Sequence, residues 1–119
     1  MSRDFVQRVF EIVDARDAAG FAALFAPDGR IVFGNGAPMT GPDEVEVGVR
    51  AFFGTIAGLA HRVEREWQVG DDTVIDLVVT YRRLDGGEVV VPAAVIWTRD
   101  ADGLFRDYRV YFDLAPLYA

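Results

Sequence analysis

Over the first sixty residues the apolar positions recur at helical spacing, and from Ala60 onward they alternate. Phe5, Val9, Ile12 and Val13 fall on one side of a first helix, with Ser2 as N-cap and Asp4 in the first turn, where the helix dipole favours an anion. A second, short helix is predicted over 18–25. It is capped by Asp17, carries Phe21, Leu24 and Phe25 on one side, and is ended by Pro27-Asp28-Gly29. Arg30 to Gly34 predicts a brief strand, and the glycine-rich stretch Gly34 to Gly41 a loop. Pro42, with Asp43 and Glu44, opens a third helix whose buried stripe is Val45, Val49, Phe52, Phe53 and Ile56. Period two then predicts strands over 61–69, 73–84, 88–99 and 104–114, separated by short polar turns. Helices followed by an antiparallel meander make one α+β domain spanning 1–119.

Asp85-Gly86 and Asp102-Gly103 are hairpin signals, because glycine supplies the positive φ that tight turns need. Read as two-residue loops, they pair Thr80 with Val91, Val78 with Ala93 and Asp76 with Val95. The next hairpin pairs Trp97 with Tyr108, Val95 with Val110 and Ala93 with Phe112. One face then collects His61, Arg65, Trp67, Asp76, Val78, Thr80, Ala93, Val95, Trp97, Tyr108, Val110 and Phe112, the mix of bulky apolar and few polar groups that lines a small-molecule pocket. The other face carries Ile75, Leu77, Val79, Tyr81, Pro92, Ala94, Ile96 and Tyr111, too apolar to be left in water, so a second subunit is expected to cover it. A slip of one residue in a turn would exchange these faces.

Composition narrows the partners. The net charge is −7 and every one of the 12 basic residues is arginine, with no basic stripe to neutralise phosphates or anionic lipid, so neither nucleic acid nor membrane is expected. The longest apolar runs, such as Val89 to Trp97, are too short to span a bilayer. No secretory leader precedes the first helix, which predicts a cytoplasmic protein. With no cysteine and a single histidine, disulfides, thiolate nucleophiles and histidine-rich metal sites are excluded, and no cofactor or metal is predicted. Glycine loops for phosphate or dinucleotides and the Gly-x-Ser-x-Gly elbow are absent as well.

Few residues remain for chemistry. Asp76 inside an apolar strand would have its charged form destabilised, which suits a general acid or base; alternatively Arg65 on the adjacent strand neutralises it in a structural ion pair. His61, beginning the first meander strand near Arg82, is the second acid–base candidate, against a solvated or hydrogen-bonded histidine at a strand edge. Asn35 is either a donor to a substrate oxygen or the turn former its flanking glycines suggest. Trp67, Trp97 and Tyr108 either stack on a flat ligand or belong to the core.

Phe25-Ala26-Pro27-Asp28-Gly29, the run Tyr81-Arg82-Arg83-Leu84-Asp85-Gly86-Gly87 leading to Val91-Pro92, and the ending Asp107-Tyr108-Arg109-Val110-Tyr111-Phe112-Asp113 stand in an order that extends over essentially the whole chain. In them the sequence resembles the SnoaL-like branch of the nuclear-transport-factor-2-like superfamily, which includes polyketide cyclases, ketosteroid isomerases and limonene-epoxide hydrolases. The resemblance implies a cone-shaped barrel of curved antiparallel sheet wrapped around three N-terminal helices, a deep pocket, and homodimers through the convex face. The catalytic sets do not carry over. Val78, Thr80 and Val110 occupy the places of the epoxide hydrolases' Asp-Arg-Asp set, with Phe33 in place of their tyrosine and only Asn35 retained. Phe33 and Gly34 stand where the isomerases' aspartate base belongs. The expectation is a pocket for a small hydrophobic molecule, serving an isomerase-, cyclase- or hydratase-type acid–base enzyme through Asp76 and His61. Its substrate-binding set would be Asn35, Phe33, Arg65, Trp67, Thr80, Trp97, Tyr108 and Phe112. The alternative is a non-catalytic small-molecule-binding or accessory dimer. In a third reading side chains fill the pocket and the convex face assembles with another protein.

Overall fold

The computed structural model describes residues 2–119 and, at Ser2 and Arg3, the backbone alone, so the N-cap expected at Ser2 lies outside the described residues. The first helix, α1, spans Ser2–Asp14, and its side chains Val6, Val9 and Phe10 are buried. It stops in a Schellman turn: Arg16 N–H donates to Val13 O at 2.8 Å and Asp17 N–H to Ile12 O at 3.2 Å, with Arg16 in the left-handed region at φ 56°. Asp17 caps α2 (Ala18–Ala22), accepting from Gly20 N–H at 2.9 Å. This helix is shorter than expected. Phe25, read as its last turn, instead opens β1 (Phe25–Phe33), where it pairs with Phe105 while Phe105 N–H donates to Leu24 O at 2.8 Å.

Pro27-Asp28-Gly29 therefore lies within β1, as an irregularity between the pairs Phe25–Phe105 and Arg30–Asp107. A two-residue strand, β2 (Met39–Thr40), pairs with β1 inside the stretch read as loop. Pro42 sits in the first turn of α3 (Gly41–Phe53) as expected, with Val45, Val49 and Phe53 buried. Ile56 is not on that helix; it begins β3 (Ile56–Val69), which is followed by β4 (Asp72–Arg83), β5 (Glu88–Arg99), β6 (Phe105–Phe112) and a terminal turn of helix, α4 (Ala115–Tyr118). The sheet order is β2-β1-β6-β5-β4-β3, antiparallel except for the parallel β1–β6 pair. It is an open, curved sheet with β2 and β3 as its edges rather than a closed barrel. Among the described residues no helix is long and apolar enough to cross a membrane.

All three expected β4–β5 pairings need correction. The turn after β4 has three residues, Leu84-Asp85-Gly86: Gly86 N–H donates to Arg83 O at 3.0 Å, Arg83 N–H to Gly87 O at 2.7 Å, and Gly86 takes φ 90°. This is a type I turn closed by a left-handed glycine, and it shifts the register by one residue. Asp76 consequently pairs with Ala94, Val78 with Pro92 and Thr80 with Val90. Ile75, Leu77, Val79 and Tyr81, expected outside, are all at most 2% exposed and face the helices. The β5–β6 pairs Trp97–Tyr108, Val95–Val110 and Ala93–Phe112 are as expected.

On β3 a bulge falls between the pairs Val63–Leu77 and Arg65–Asp76. It separates His61, which turns inward, from Arg65 and Trp67, which share the outer face with Asp76 and Val74. The core lies between the inner sheet face and α1 to α3.

Candidate active site

The end of α1 docks on the first half of β3, a sheet edge whose outward backbone groups need partners. Arg16 Nη1 donates to Ile56 O at 3.2 Å, which helps to hold an arginine at a backbone conformation that ordinarily favours glycine. Two residues earlier, Asp14 takes the His61 backbone N–H on Oδ2 at 3.0 Å and the imidazole Nδ1 on Oδ1 at 2.6 Å. Phe10, one helical turn before Asp14, stacks on the imidazole with centroids 4.6 Å apart and planes 16° from parallel. Ring stacking and carboxylate together fix the imidazole's orientation and place a proton on Nδ1, so that in the neutral ring the lone pair is on Nε2. Nε2 has no hydrogen-bond partner among the described residues.

His61 lies in the wall of an interior cavity of about 40 Å³. The remainder of the wall is apolar, with Leu77, Val79, Val95 and Val110 from the sheet and Phe21, Val49 and Phe53 from the helices, apart from the hydroxyls of Tyr81 and Tyr108. Neither hydroxyl has a hydrogen-bond partner among the described residues. Burial pushes the ionisation of Tyr81 far up, reinforced by Tyr118 and Asp14; for Tyr108 the same cause dominates, with Tyr81 and Asp14 adding to it. Both phenols therefore stay neutral and can donate. Phe33 and Phe112, stacked at 6.3 Å, are half-buried members of the lining. The cavity has room for a few water-sized groups, so anything as large as a ring system must displace these side chains.

Of the residues singled out from the sequence, His61, Phe33, Tyr108 and Phe112 come together on this cavity. Trp97 is 1% exposed and packs behind it among Phe5, Phe10, Phe105 and Tyr108. Asn35 is exposed in the turn after β1, where Gly36 N–H donates to Phe33 O. Asp76, Arg65, Trp67 and Thr80 do not reach the cavity; the corrected β4 register puts them on the outer face. There Arg65 holds Asp76 through Nε at 3.1 Å and Nη2 at 2.9 Å, and its guanidinium lies 5.2 Å from the Trp67 ring.

Sequence reasoning missed Asp14 and Tyr81. Asp14 stands four residues after Phe10, in line with Val6 and Phe10 on the buried stripe, and a carboxylate on an apolar stripe was the available signal. Among the described residues no cluster of three or more histidine, aspartate or glutamate side chains is placed to hold a metal ion.

The SnoaL-like domain family matches residues 6–108. The chain belongs to this family. Similar solved structures give the same fold. One is a hypothetical protein from Catenulispora acidiphila with a ketosteroid isomerase-like fold, in complex with trimethylamine (19% identity, 94% of this chain and 87% of that one, TM-score 0.85). Another is a putative SnoaL-like polyketide cyclase from Jannaschia (23%, 95% and 88%, 0.76), and a third an LEH-like epoxide hydrolase from M. tuberculosis (16%, 95% and 83%, 0.77). No protein of curated function matches the sequence. In this SnoaL-like domain the polar side chains described in the cavity wall are His61, held from outside the cavity by Asp14, and the two phenols Tyr81 and Tyr108.

Proposed function

We propose that this SnoaL-like domain admits the reactive end of one small, predominantly apolar molecule to its interior cavity and exchanges a proton with it through His61. The observation that carries this reading is that His61, in the wall of a mostly apolar cavity, is held from behind by a hydrogen bond to Asp14. A neutral imidazole held in one tautomer by a carboxylate is a competent base, and the cavity it lines is otherwise walled mainly by apolar side chains. The substrate class that suits the groups is a carbonyl compound with an acidic neighbouring C–H. Nε2 takes that proton, the C–H electron pair moves toward the carbonyl oxygen, and the Tyr81 and Tyr108 hydroxyls donate to the developing negative charge. Return of the proton to another carbon completes an isomerisation. Asn35 and the outer-face residues Asp76, Arg65, Trp67 and Thr80 have no part in this scheme.

A second reading, binding without chemistry, draws on the cavity's small size: a few water-sized groups fit a short ligand better than a polycyclic one. Both readings include a homodimer through the outer sheet face, where Trp67, Val90 and Tyr111 are 45–61% exposed around Pro92, Ala94 and Ile96. The test is to incubate the protein in deuterium oxide with a panel of small cyclic ketones and enones, following binding and deuterium uptake by NMR. Uptake that is lost in His61→Gln supports the acid–base reading. Binding without uptake supports the second. No binding by any member sinks both and leaves assembly through the outer face.

A further inference from the structure

His61 lines two spaces. Besides the interior cavity it borders a groove on the outside of the molecule, between α1 (Val6, Gln7, Phe10, Glu11, Asp14) and the second half of β3 as far as Glu66. Asp14 borders the groove alone, and its side chain is 27% exposed against 10% for His61. The pair is therefore a partition one histidine and one aspartate thick, with the imidazole in the apolar interior and the carboxylate in the open. The groove rim is polar, with Glu11, Glu64, Glu66, Arg62 and Arg65; Arg62 is occupied by Glu64 and Arg65 by Asp76. No cation there competes for Asp14.

The geometry points to the groove as a proton port: Asp14 relays protons between His61 and bulk solvent through the groove rather than through the apolar cavity. This deepens the acid–base reading of His61 and rests on it. The steps balance. Nε2 takes a proton from the bound molecule, giving an imidazolium. The Nδ1 proton passes to Asp14 Oδ1 and then to water in the groove, leaving a neutral imidazole with its proton on Nε2. That proton is delivered back into the cavity while Asp14, reprotonated from the groove, returns one to Nδ1. One cycle returns the substrate's own proton to the bound molecule and exchanges the Nδ1 proton for a solvent proton. Asp14 acts here as a positioning and relay residue, since it does not touch the cavity.

The protein's single histidine makes the test direct, because its imidazole gives one pair of ¹⁵N–¹H signals. Exchange of the Nδ1 proton with water is measured by saturation transfer on the ¹⁵N-histidine-labelled full chain. The variants are two that fill the groove from exposed positions, Gln7→Trp and Val63→Trp, and two that fill the cavity, Ala93→Val and Val79→Ile. The proposal expects exchange to slow by about a hundredfold in the groove variants, the lower end of what a positioned proton-transfer group contributes, and to hold its wild-type rate in the cavity variants. Asp14→Glu should restore part of the exchange that Asp14→Asn loses. Slowing by the cavity variants alone, or by none of the four, overturns the port. No substrate is needed, so this outcome is independent of whether His61 performs chemistry.

Discussion

Asp14 holds His61 by both of its carboxylate oxygens, one on the imidazole at 2.6 Å and one on the backbone N–H at 3.0 Å. A single side chain thus satisfies an edge-strand donor and sets a tautomer. Truncation strands both groups where the histidine side chain is only 10% exposed. Asp14→Ala should therefore cost about 1–3 kcal/mol, the usual penalty for orphaning buried polar groups. Urea unfolding of the variant against wild type measures it. A cost near zero would mean that solvent already competes for His61 and that the pair orders nothing.

The two cavity tyrosines predict an alkaline limit to stability. Each keeps its proton in the folded chain to higher pH than in the unfolded chain, because burial opposes the phenolate. Below about pH 10 neither state ionises and the residues contribute no pH dependence. Above it the unfolded chain loses protons that the folded chain retains, so stability falls as pH rises, by up to about 1.4 kcal/mol per pH unit for each tyrosine. Denaturation midpoints between pH 9 and 11.5 should show this fall, and Tyr108→Phe should remove about half of it. An unchanged slope in the variant would place the Tyr108 hydroxyl in contact with bulk water.

The contrast between two hairpins shows why one side of the pocket was legible in the sequence and the other was not. Asp85-Gly86 and Asp102-Gly103 announce turns equally well, and both turns contain three residues, where two were read. After Asp102-Gly103 a shift between Thr98 and Arg99 restores the parity, so Trp97 meets Tyr108 as expected. After Asp85-Gly86 nothing compensates, and every β4 side chain exchanges faces. Tyr81 was thereby assigned to the outside and Asp76 to the inside. The β3 bulge was equally hidden, since local sequence does not say where a strand docks on α1. Helix and strand identities, in contrast, follow from periodicity that tertiary contacts reinforce, and they were recovered apart from the early end of α2 and the small elements β2 and α4.

Gly29 is the position in the SnoaL-like signature Phe25–Gly29 where a side chain cannot be added. A Cβ there would collide with the backbone carbonyl of Phe105 and press on Ala26. The neighbouring atoms are main chain and cannot rotate away, so the irregular crossing of β1 over β6 requires a glycine. Gly29→Ala should destabilise by about 1–3 kcal/mol, as overpacking typically does. Thermal unfolding monitored by circular dichroism tests this. A variant as stable as wild type would show that β1 can lift from β6 between Phe25 and Arg30 at no cost.

Arg65 and Asp76 face each other across β3 and β4 on the outer surface, 69% and 40% exposed. Exposed pairs of this kind contribute little because solvent screens them, so Asp76→Asn should change stability by less than about 1 kcal/mol. The same variant separates the two faces functionally. With its carboxylate on the side of the sheet opposite His61, Asp76→Asn should leave the His61 imidazole signals and any cavity binding as in wild type. Its effect should instead appear in the emission of Trp67, whose ring lies 5.2 Å from the Arg65 guanidinium that the substitution releases. A shift of the His61 signals with Trp67 unaffected would mean that β4 presents Asp76 inward after all. The three-residue turn at Leu84-Asp85-Gly86, with no compensating shift along the β4–β5 pairs, holds Asp76 on the outer face.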